Sequence, residues 1–298
     1  MSNLTPFFNP IAWIRAYQFR KRNGKFDKSS YDLELYLYSK ILKNNMLHYG
    51  YFDDVAVTPE TISLQQVEEA QQKYASNIIE QIADKNSHIL DVGCGMGGLG
   101  AMMYESGCKN IELLTPNKNQ IDFINKTYPQ FTTHRCKFEQ YPATEKKFGT
   151  VINSESLQYI KLEDAFSQLD KILLPDGRWI IVDYFRLHDS GISKSAHLLN
   201  DFKASITANN WQIVYEKDIT LHVLPTLKFA YMYIERFLLP LKHFGYEKLR
   251  FKKPALYYLS QKVRDSIDKK IAKEGASIDP EKFIKEKKYL LFVLEKKK

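Results

Sequence analysis

The sequence predicts a doubly wound α/β fold, an open and mostly parallel sheet of seven strands with helices on both faces. Three observations predict it. Short apolar runs alternate with stretches of helical periodicity from residue 61 onward. The first run, Ile89-Leu90-Asp91-Val92, turns through Gly93-Cys94-Gly95-Met96-Gly97-Gly98-Leu99-Gly100 into helical spacing, the strand, tight turn and helix N-terminus by which such sheets hold nucleotides. The last run, residues 289–294, is separated from the sixth strand by a lysine- and aromatic-rich insert with helical spacing.

Taken in order, residues 1–30 mix Trp13, Tyr17 and Phe19 with Arg15, Arg20, Lys21 and Arg22, then reach a polar turn at Asn23-Gly24. This reads either as a helix packed on the domain or as an amphipathic helix over the site or against a membrane interface. Leu33, Leu37, Tyr38, Ile41 and Leu42 give residues 31–47 helical periodicity, and Leu64, Val67, Ala70, Ala75, Ile78, Ile79 and Ile82 do the same for residues 61–85. Strand one and its glycine turn follow. Strand two is residues 111–115, with a helix opening at Asn117-Lys118-Asn119-Gln120, and strand three is residues 131–136. Strand four is residues 148–153. A helix through Ala165, Phe166, Leu169 and Ile172 then closes at Leu174-Pro175-Asp176-Gly177, a turn by composition. Strand five is residues 178–184, a helix covers 198–209, and strand six is residues 211–219. These assignments divide the chain into an N-terminal helical cap (1–80), a ligand-binding core (81–224), a helical insert placed as a substrate lid (225–288) and a final strand with a basic tail (289–298).

Composition limits the function. A 298-residue chain that is 44% hydrophobic can bury a full core. Three cysteines show no paired or metal-ligand spacing, and the chain opens with no basic-then-apolar leader, so a cytoplasmic setting without a bound metal is expected. The longest apolar candidate for a membrane span, residues 229–241, is broken by Glu235, Arg236 and Pro240. The net charge of +8 is uneven: residues 241–298 hold 17 Lys/Arg against 8 Asp/Glu. Such a face suits an acidic substrate, a membrane surface or RNA, or is merely solvated.

Gly93, Gly95 and Gly98 satisfy the dinucleotide pattern G-x-G-x-x-G, which implies a nicotinamide-dependent oxidoreductase. That site needs an acid about 20 residues on, at the end of the next strand, where this chain has Thr115 and Pro116. Asp91-x-Gly93-x-Gly95-x-Gly97 instead resembles motif I of the class I S-adenosylmethionine-dependent methyltransferases. The resemblance implies the Rossmann-like methyltransferase sheet and S-adenosylmethionine as cofactor, and it covers residues 45–222 and 289–296.

Further segments refine it. His48-Tyr49-Gly50-Tyr51-Phe52 resembles the H-x-G-Y-[FW] segment of the branch holding sterol, tocopherol and sarcosine/dimethylglycine methyltransferases and, more distantly, cyclopropane fatty acid synthases. Aromatic faces there suit a sulfonium. Thr115 with Gln120 resembles that branch's T-x-x-x-x-Q arrangement at the ribose. Lys137-Phe138 stands where the family places an Asp for adenine. Ser154-Glu155-Ser156-Leu157-Gln158-Tyr159 resembles E-[SA]-x-x-H with Tyr159 replacing the usual His. The resemblance implies that Tyr49, Asp91, Gly93, Cys94, Gly95, Gly97, Thr115, Gln120, Lys137, Phe138 and Ser154 hold the cofactor. It places Glu155, Tyr159 and His48 at the chemistry and Tyr51, Phe52, Gln158 and Tyr184 against the substrate. A base-methylating enzyme would show Asn/Asp-Pro-Pro-Tyr after strand four, so no DNA partner is expected. The expected acceptor is a small, apolar or lipid- or isoprenoid-like molecule, with carbon, nitrogen and oxygen all open as acceptor atoms. The insert's aromatic residues and lysines also fit an acceptor with an anionic group or one delivered from an anionic membrane surface. Peripheral membrane contact and oligomeric state stay open. The remaining alternative is a non-catalytic cofactor-binding module that recruits partners through the basic C-terminus.

Overall fold

The computed structural model describes residues 9–23, 40–142, 147–189 and 196–297. The helix predicted over 31–47 lies largely outside them, and residues 42–50 form an irregular segment. The described helix α1 is Pro10–Asn23. Helix α2, Leu64–Ile79, starts at a capping box in which Gln66 N–H donates to Ser63 Oγ and Ser63 N–H to the Gln66 side chain. It buries Val67, Ala70, Tyr74, Ala75 and Ile78 at helical spacing.

The core then alternates: β1 Ile89–Val92, α3 Gly98–Glu105, β2 Ile111–Leu114, α4 Lys118–Thr127, β3 Thr132–His134, β4 Phe148–Ser154, α5 Leu162–Ile172, β5 Leu173–Arg186, α6 Leu199–Ala208 and β6 Trp211–Asp218. Helices α7 Thr220–Tyr233, α8 Leu239–Lys252, α9 Pro254–Leu259, α10 Gln261–Ser277 and α11 Pro280–Glu286 lead to β7 Lys287–Lys296. A π-turn at Ile234–Leu238 joins α7 to α8 without a break in the helical path.

The seven strands are ordered β3-β2-β1-β4-β5-β7-β6, with β7 antiparallel to both neighbours. This is the doubly wound, Rossmann-like sheet that the sequence predicts, with helices α7 to α11 between strands six and seven. Its central strands are buried on both faces, and β7 shows the alternation directly. Tyr289, Leu291 and Val293 join the cluster on one face, and Leu290, Phe292 and Leu294 the cluster on the other. The chain order reverses between β1 and β4, and the crevice beyond their carboxyl ends is where open α/β sheets bind ligands.

Two local expectations shift. Leu174-Pro175-Asp176-Gly177 falls within the span of β5 but carries no ladder partner: the register jumps from Phe148↔Leu173 to Thr150↔Arg178, so the turn composition appears as a bulge in the strand rather than as a loop before it. Strand three contracts to Thr132–His134, because it is a sheet edge paired only to β2. No helix among the described residues is long and apolar enough to cross a membrane.

Candidate active site

The site begins where β1 ends. Gly93, Gly95 and Gly97 all take positive φ (+79°, +56° and +83°), a region that strains side-chain-bearing residues. Space adds a second reason at Gly93, where a Cβ would lie 2.3 Å from Ser156 Cβ. Gly97 then starts α3 with its N–H groups facing the turn. The turn opens on a cavity of about 560 Å³, the size of a small-molecule site. The cavity is lined from the ends of β1, β2 and β4, from Lys137-Phe138-Glu139 after β3, and from residues 45–48.

Asp91 lines this cavity and is buried, with Oδ2 lacking a hydrogen-bond partner among the described residues. Burial pushes its pKa up to about 7. An orphaned buried carboxyl oxygen beside a glycine turn is costly unless it finds a partner, and a ligand bearing an ammonium or hydroxyl would supply one. On the next strand Thr115 Oγ1 donates to Gln120 Oε1 at 2.6 Å, placing both side chains together at the cavity wall. Phe138 is buried there, and Lys137 pairs with Glu139 at 3.7 Å. These residues fit a nucleoside carrying an amino-acid tail: polar groups at the ribose level, a ring for the base and an acid for the amine.

Residues 44–52 cross the cavity as a strap held from α2 and α7. Buried Gln71 donates from Nε2 to the carbonyls of Met46 and His48 (3.2 and 2.7 Å) and accepts from Asn44. Tyr51 N–H donates to Ala70 O, Gly50 N–H to Thr226 Oγ1 and Phe52 N–H to His222 O. Gly50 is required by packing, since a Cβ would meet Ala70 Cβ at 2.6 Å. The strap sets His48 stacked 4.1 Å from Tyr74, with Nδ1 bonded to Tyr49 O. A carbonyl partner fixes the Nδ1–H tautomer, and burial lowers the pKa to about 4. His48 is therefore a neutral imidazole whose buried Nε2 has no partner among the described residues.

Glu155 follows β4 at φ +52°, a conformation unusual for a residue with a side chain and typical of functional sites. Its Oε1 accepts from Tyr49 N–H at 2.9 Å and from the Tyr289 hydroxyl. Tyr289 OH also lies 3.1 Å from Tyr74 OH, which lies 3.1 Å from Ser154 Oγ. Desolvation pushes the Glu155 pKa up to about 7, opposed by the hydrogen bonds from Tyr289 and Tyr49. Tyr289→Phe removes one opposing bond. The limb of the pH–rate profile that reports Glu155 is expected to move to higher pH with little change in melting temperature. An unmoved limb separates the two groups.

The structure brings many of the expected residues to one cavity: His48, Asp91, Gly93, Cys94, Gly95, Thr115, Gln120, Lys137, Phe138, Ser154, Glu155 and Tyr159 line it. Tyr49 and Gly97 support the wall from behind, through the bond to Glu155 and through the cap of α3. Four residues expected at the substrate do not line it. Tyr51 stacks on His222 and Phe52 packs with Ile62, Val67 and Phe229. Gln158 and Tyr184 bond to each other beside Asp183. No described residue of the insert lines the cavity; α7 packs instead under the strap.

Sequence reasoning missed Tyr74 and Tyr289, whose hydroxyls are visible only once α2 and β7 meet. It missed Asp183 despite a usable signal, an acid inside the apolar run Ile180-Ile181-Val182-Asp183. Asp183 is buried, with its pKa raised to about 8 by desolvation and accepting bonds from Gln158 and Tyr184 N–H. Among the described residues no group of three or more His, Cys, Asp and Glu is placed to hold a metal ion.

Residues 89–177 match the family model of a methyltransferase domain. A sterol 4-C-methyltransferase of Caenorhabditis elegans is 26% identical over 147 residues, 47% of this chain and 44% of that protein. A geranyl diphosphate 2-C-methyltransferase of Saccharopolyspora erythraea is 29% identical over 126 residues, 38% of this chain and 44% of that one. The chain thus spans less than half the length of these curated relatives. A crystal structure of geranyl diphosphate C-methyltransferase from Streptomyces coelicolor, in complex with Mg²⁺, geranyl-S-thiolodiphosphate and S-adenosyl-L-homocysteine, superposes with a TM-score of 0.62 at 16% identity. It covers 93% of this chain and 95% of that one, a likeness of fold. With motif I turning from β1 into α3, and the sheet closed by an antiparallel seventh strand, residues 89–177 form the core of a class I S-adenosylmethionine-dependent methyltransferase domain, and the chain is related to sterol and geranyl diphosphate C-methyltransferases.

Proposed function

We propose that this chain transfers the methyl group of S-adenosylmethionine to a small, mainly apolar acceptor, and that Glu155 orients the acceptor and takes up its proton. The observation that carries the reading is Glu155 itself, a strained, desolvated carboxylate with a pKa of about 7 in the cavity wall, at the end of the strand beside the glycine turn.

The cofactor, when bound, supplies an electrophilic methyl on a sulfonium. The chain's own work is positioning and exclusion of water. The Gly93–Gly97 turn and Asp91 hold the amino-acid end, Thr115 and Gln120 the ribose, and Phe138 the base. Glu155 accepts a hydrogen bond from an acceptor O–H or N–H, or takes the proton that a carbon acceptor loses. Near neutral pH it is divided between its two forms, the condition under which a general base is most effective. Neutral His48, with a free Nε2 lone pair, is a second acceptor of a substrate proton.

The substrates for which the relatives are named, a sterol and geranyl diphosphate, differ in charge. The cavity favours the uncharged kind. Its described lining holds one cation, Lys137, already paired with Glu139, against the carboxyls of Asp91, Glu139 and Glu155. An anionic group would meet more negative than positive charge.

Turnover of labelled S-adenosylmethionine with neutral apolar acceptors, matched against acceptors carrying a carboxylate or diphosphate, tests the reading. Greater kcat/KM for the neutral series supports it; transfer confined to anionic or small hydrophilic acceptors defeats it. Tyr159, 79% exposed at the cavity mouth, is expected to tolerate Tyr159→Phe with a loss of only a few-fold in kcat/KM, as suits a group without a proton-transfer role.

A further inference from the structure

We infer that the helical insert between β6 and β7 is a docking surface for an anionic lipid bilayer. The inference goes beyond the proposed activity and does not depend on it, because it is read by binding alone.

Three observations converge on this segment. First, from residue 231 to 282 no described side chain is buried, although the stretch is helical almost throughout. Helices in water are held chiefly by burial of an apolar face, and here that face is open. Phe237, Leu241, Phe244, Phe251, Tyr258 and Leu259 are 56–75% exposed. So dense a set of large exposed apolar side chains marks an interaction surface rather than scattered surface residues.

Second, the charge of the chain is concentrated in the same place. Residues 236–273 carry eleven Lys/Arg against three Asp/Glu, a net of +8, which equals the net charge of the whole protein. The remainder is neutral. Since Lys137 is the only Lys or Arg among the described residues that line the cavity, this charge does not serve the site. Lys248, Lys252, Lys262, Lys269 and Lys270 are exposed with no ion pair among the described residues.

Third, cations and rings are interleaved. Lys248 lies 5.5 Å over Phe244 and Arg250 4.9 Å over Phe251. A ring at headgroup depth with a basic side chain reaching the phosphates is the arrangement of interfacial anchors. Aromatic residues with lysines also suit single-stranded nucleic acid, where bases stack on rings. Leu238, Leu241, Leu259, Val263 and Ile267, exposed beside them, offer nothing to a base but partition into the acyl boundary. The aliphatic share decides for the bilayer. A membrane partner also accords with an apolar acceptor, which would be drawn from the lipid phase.

The test is co-sedimentation of the full chain with vesicles of phosphatidylcholine alone or containing phosphatidylglycerol. Retention is expected on the anionic vesicles only, falling as salt rises. Each basic residue near such a surface contributes roughly fivefold in affinity, so Lys248→Gln/Arg250→Gln/Lys252→Gln is expected to lower vesicle affinity about a hundredfold. Affinity for S-adenosylhomocysteine should stay unchanged, which shows that the variant is folded. Phe251→Trp supplies an independent readout: a blue shift and quenching by brominated lipid beyond those of the wild type, on anionic vesicles only. No retention, equal retention on both vesicle types, retention of a polyribonucleotide in preference to vesicles, or self-association that removes vesicle binding would each overturn the inference.

Discussion

Glu155→Gln is expected to lower turnover by about 10²- to 10⁴-fold, the usual range for a general acid–base group, while affinity for S-adenosylhomocysteine stays nearly unchanged. The substitution is well controlled by the structure. Glutamine retains an oxygen that accepts from Tyr49 N–H and Tyr289 OH, and it occupies the same left-handed backbone position at the same strain. What is removed is the charge and the capacity to hold a proton.

The same variant is expected to gain stability relative to the wild type as pH rises, and the sign follows from linkage. The Glu155 pKa is raised from 4.5 to about 7, so between those values the folded state binds more protons than the unfolded chain. Its favourable contribution is complete below pH 4.5 and is lost as pH climbs through 7. At pH 8 the buried carboxylate costs about 3 kcal/mol relative to the unfolded reference. Glutamine carries no such cost, so the melting temperature of the variant should overtake that of the wild type between pH 5 and 8. Thermal melts across that range, with single-turnover methyl transfer at saturating donor, check both statements. Lost cofactor affinity with unchanged turnover would move Glu155 out of the chemistry and into the cofactor site. A stability gap that does not change with pH would show that the carboxylate is solvated. The pattern is a stability–activity trade, common where a charge is kept in a dry site.

Much of the fold is legible in the sequence because the period of burial is short and local. Strands buried on both faces read as unbroken apolar runs, and β1, β2 and β4 appear with errors of a residue or so. The glycine turn is equally legible, since three positive-φ positions admit few residues besides glycine. The insert misled. Its aromatic residues at helical spacing resemble a cavity lining, but periodicity says only that one face is apolar, not what covers it. In the structure the cavity is closed instead by the strap at residues 45–48, where the helical periodicity read over 31–47 gives way to an irregular segment held by Gln71 and by backbone hydrogen bonds. Tyr51 and Phe52 show the same limit from the other side: a motif fixes their neighbourhood, while packing against His222 and Phe229 fixes their role. The Glu155–Tyr289–Tyr74 chain joins residues separated by 134 and 215 positions, and no local pattern encodes a contact between strand seven and a helix that precedes strand one.

The second large effect is expected at the glycine turn, and its value lies in a contrast between neighbours. Gly95 has φ +56°, and a Cβ there would meet only the Leu47 side chain at 3.4 Å, an ordinary contact. The protein therefore has room for a side chain, and the space it would fill belongs to the cavity. Gly95→Val should cost roughly 1–3 kcal/mol in stability from the strained backbone yet abolish binding of S-adenosylmethionine and S-adenosylhomocysteine, because a branched side chain occupies the ligand's volume. At Gly93 the order reverses. A Cβ would overlap Ser156 Cβ at 2.3 Å, and Ser156 is tied to Val92 O and Asn153, so Gly93→Ala forces β1 and β4 apart at the switch point. That variant should unfold more readily than Gly95→Val despite its smaller side chain. Calorimetric titration beside thermal melts separates the two. If Gly95→Val binds S-adenosylhomocysteine as the wild type does, the amino-acid end of the cofactor does not lie at this turn, and the assignment of Asp91 to its amine falls with it.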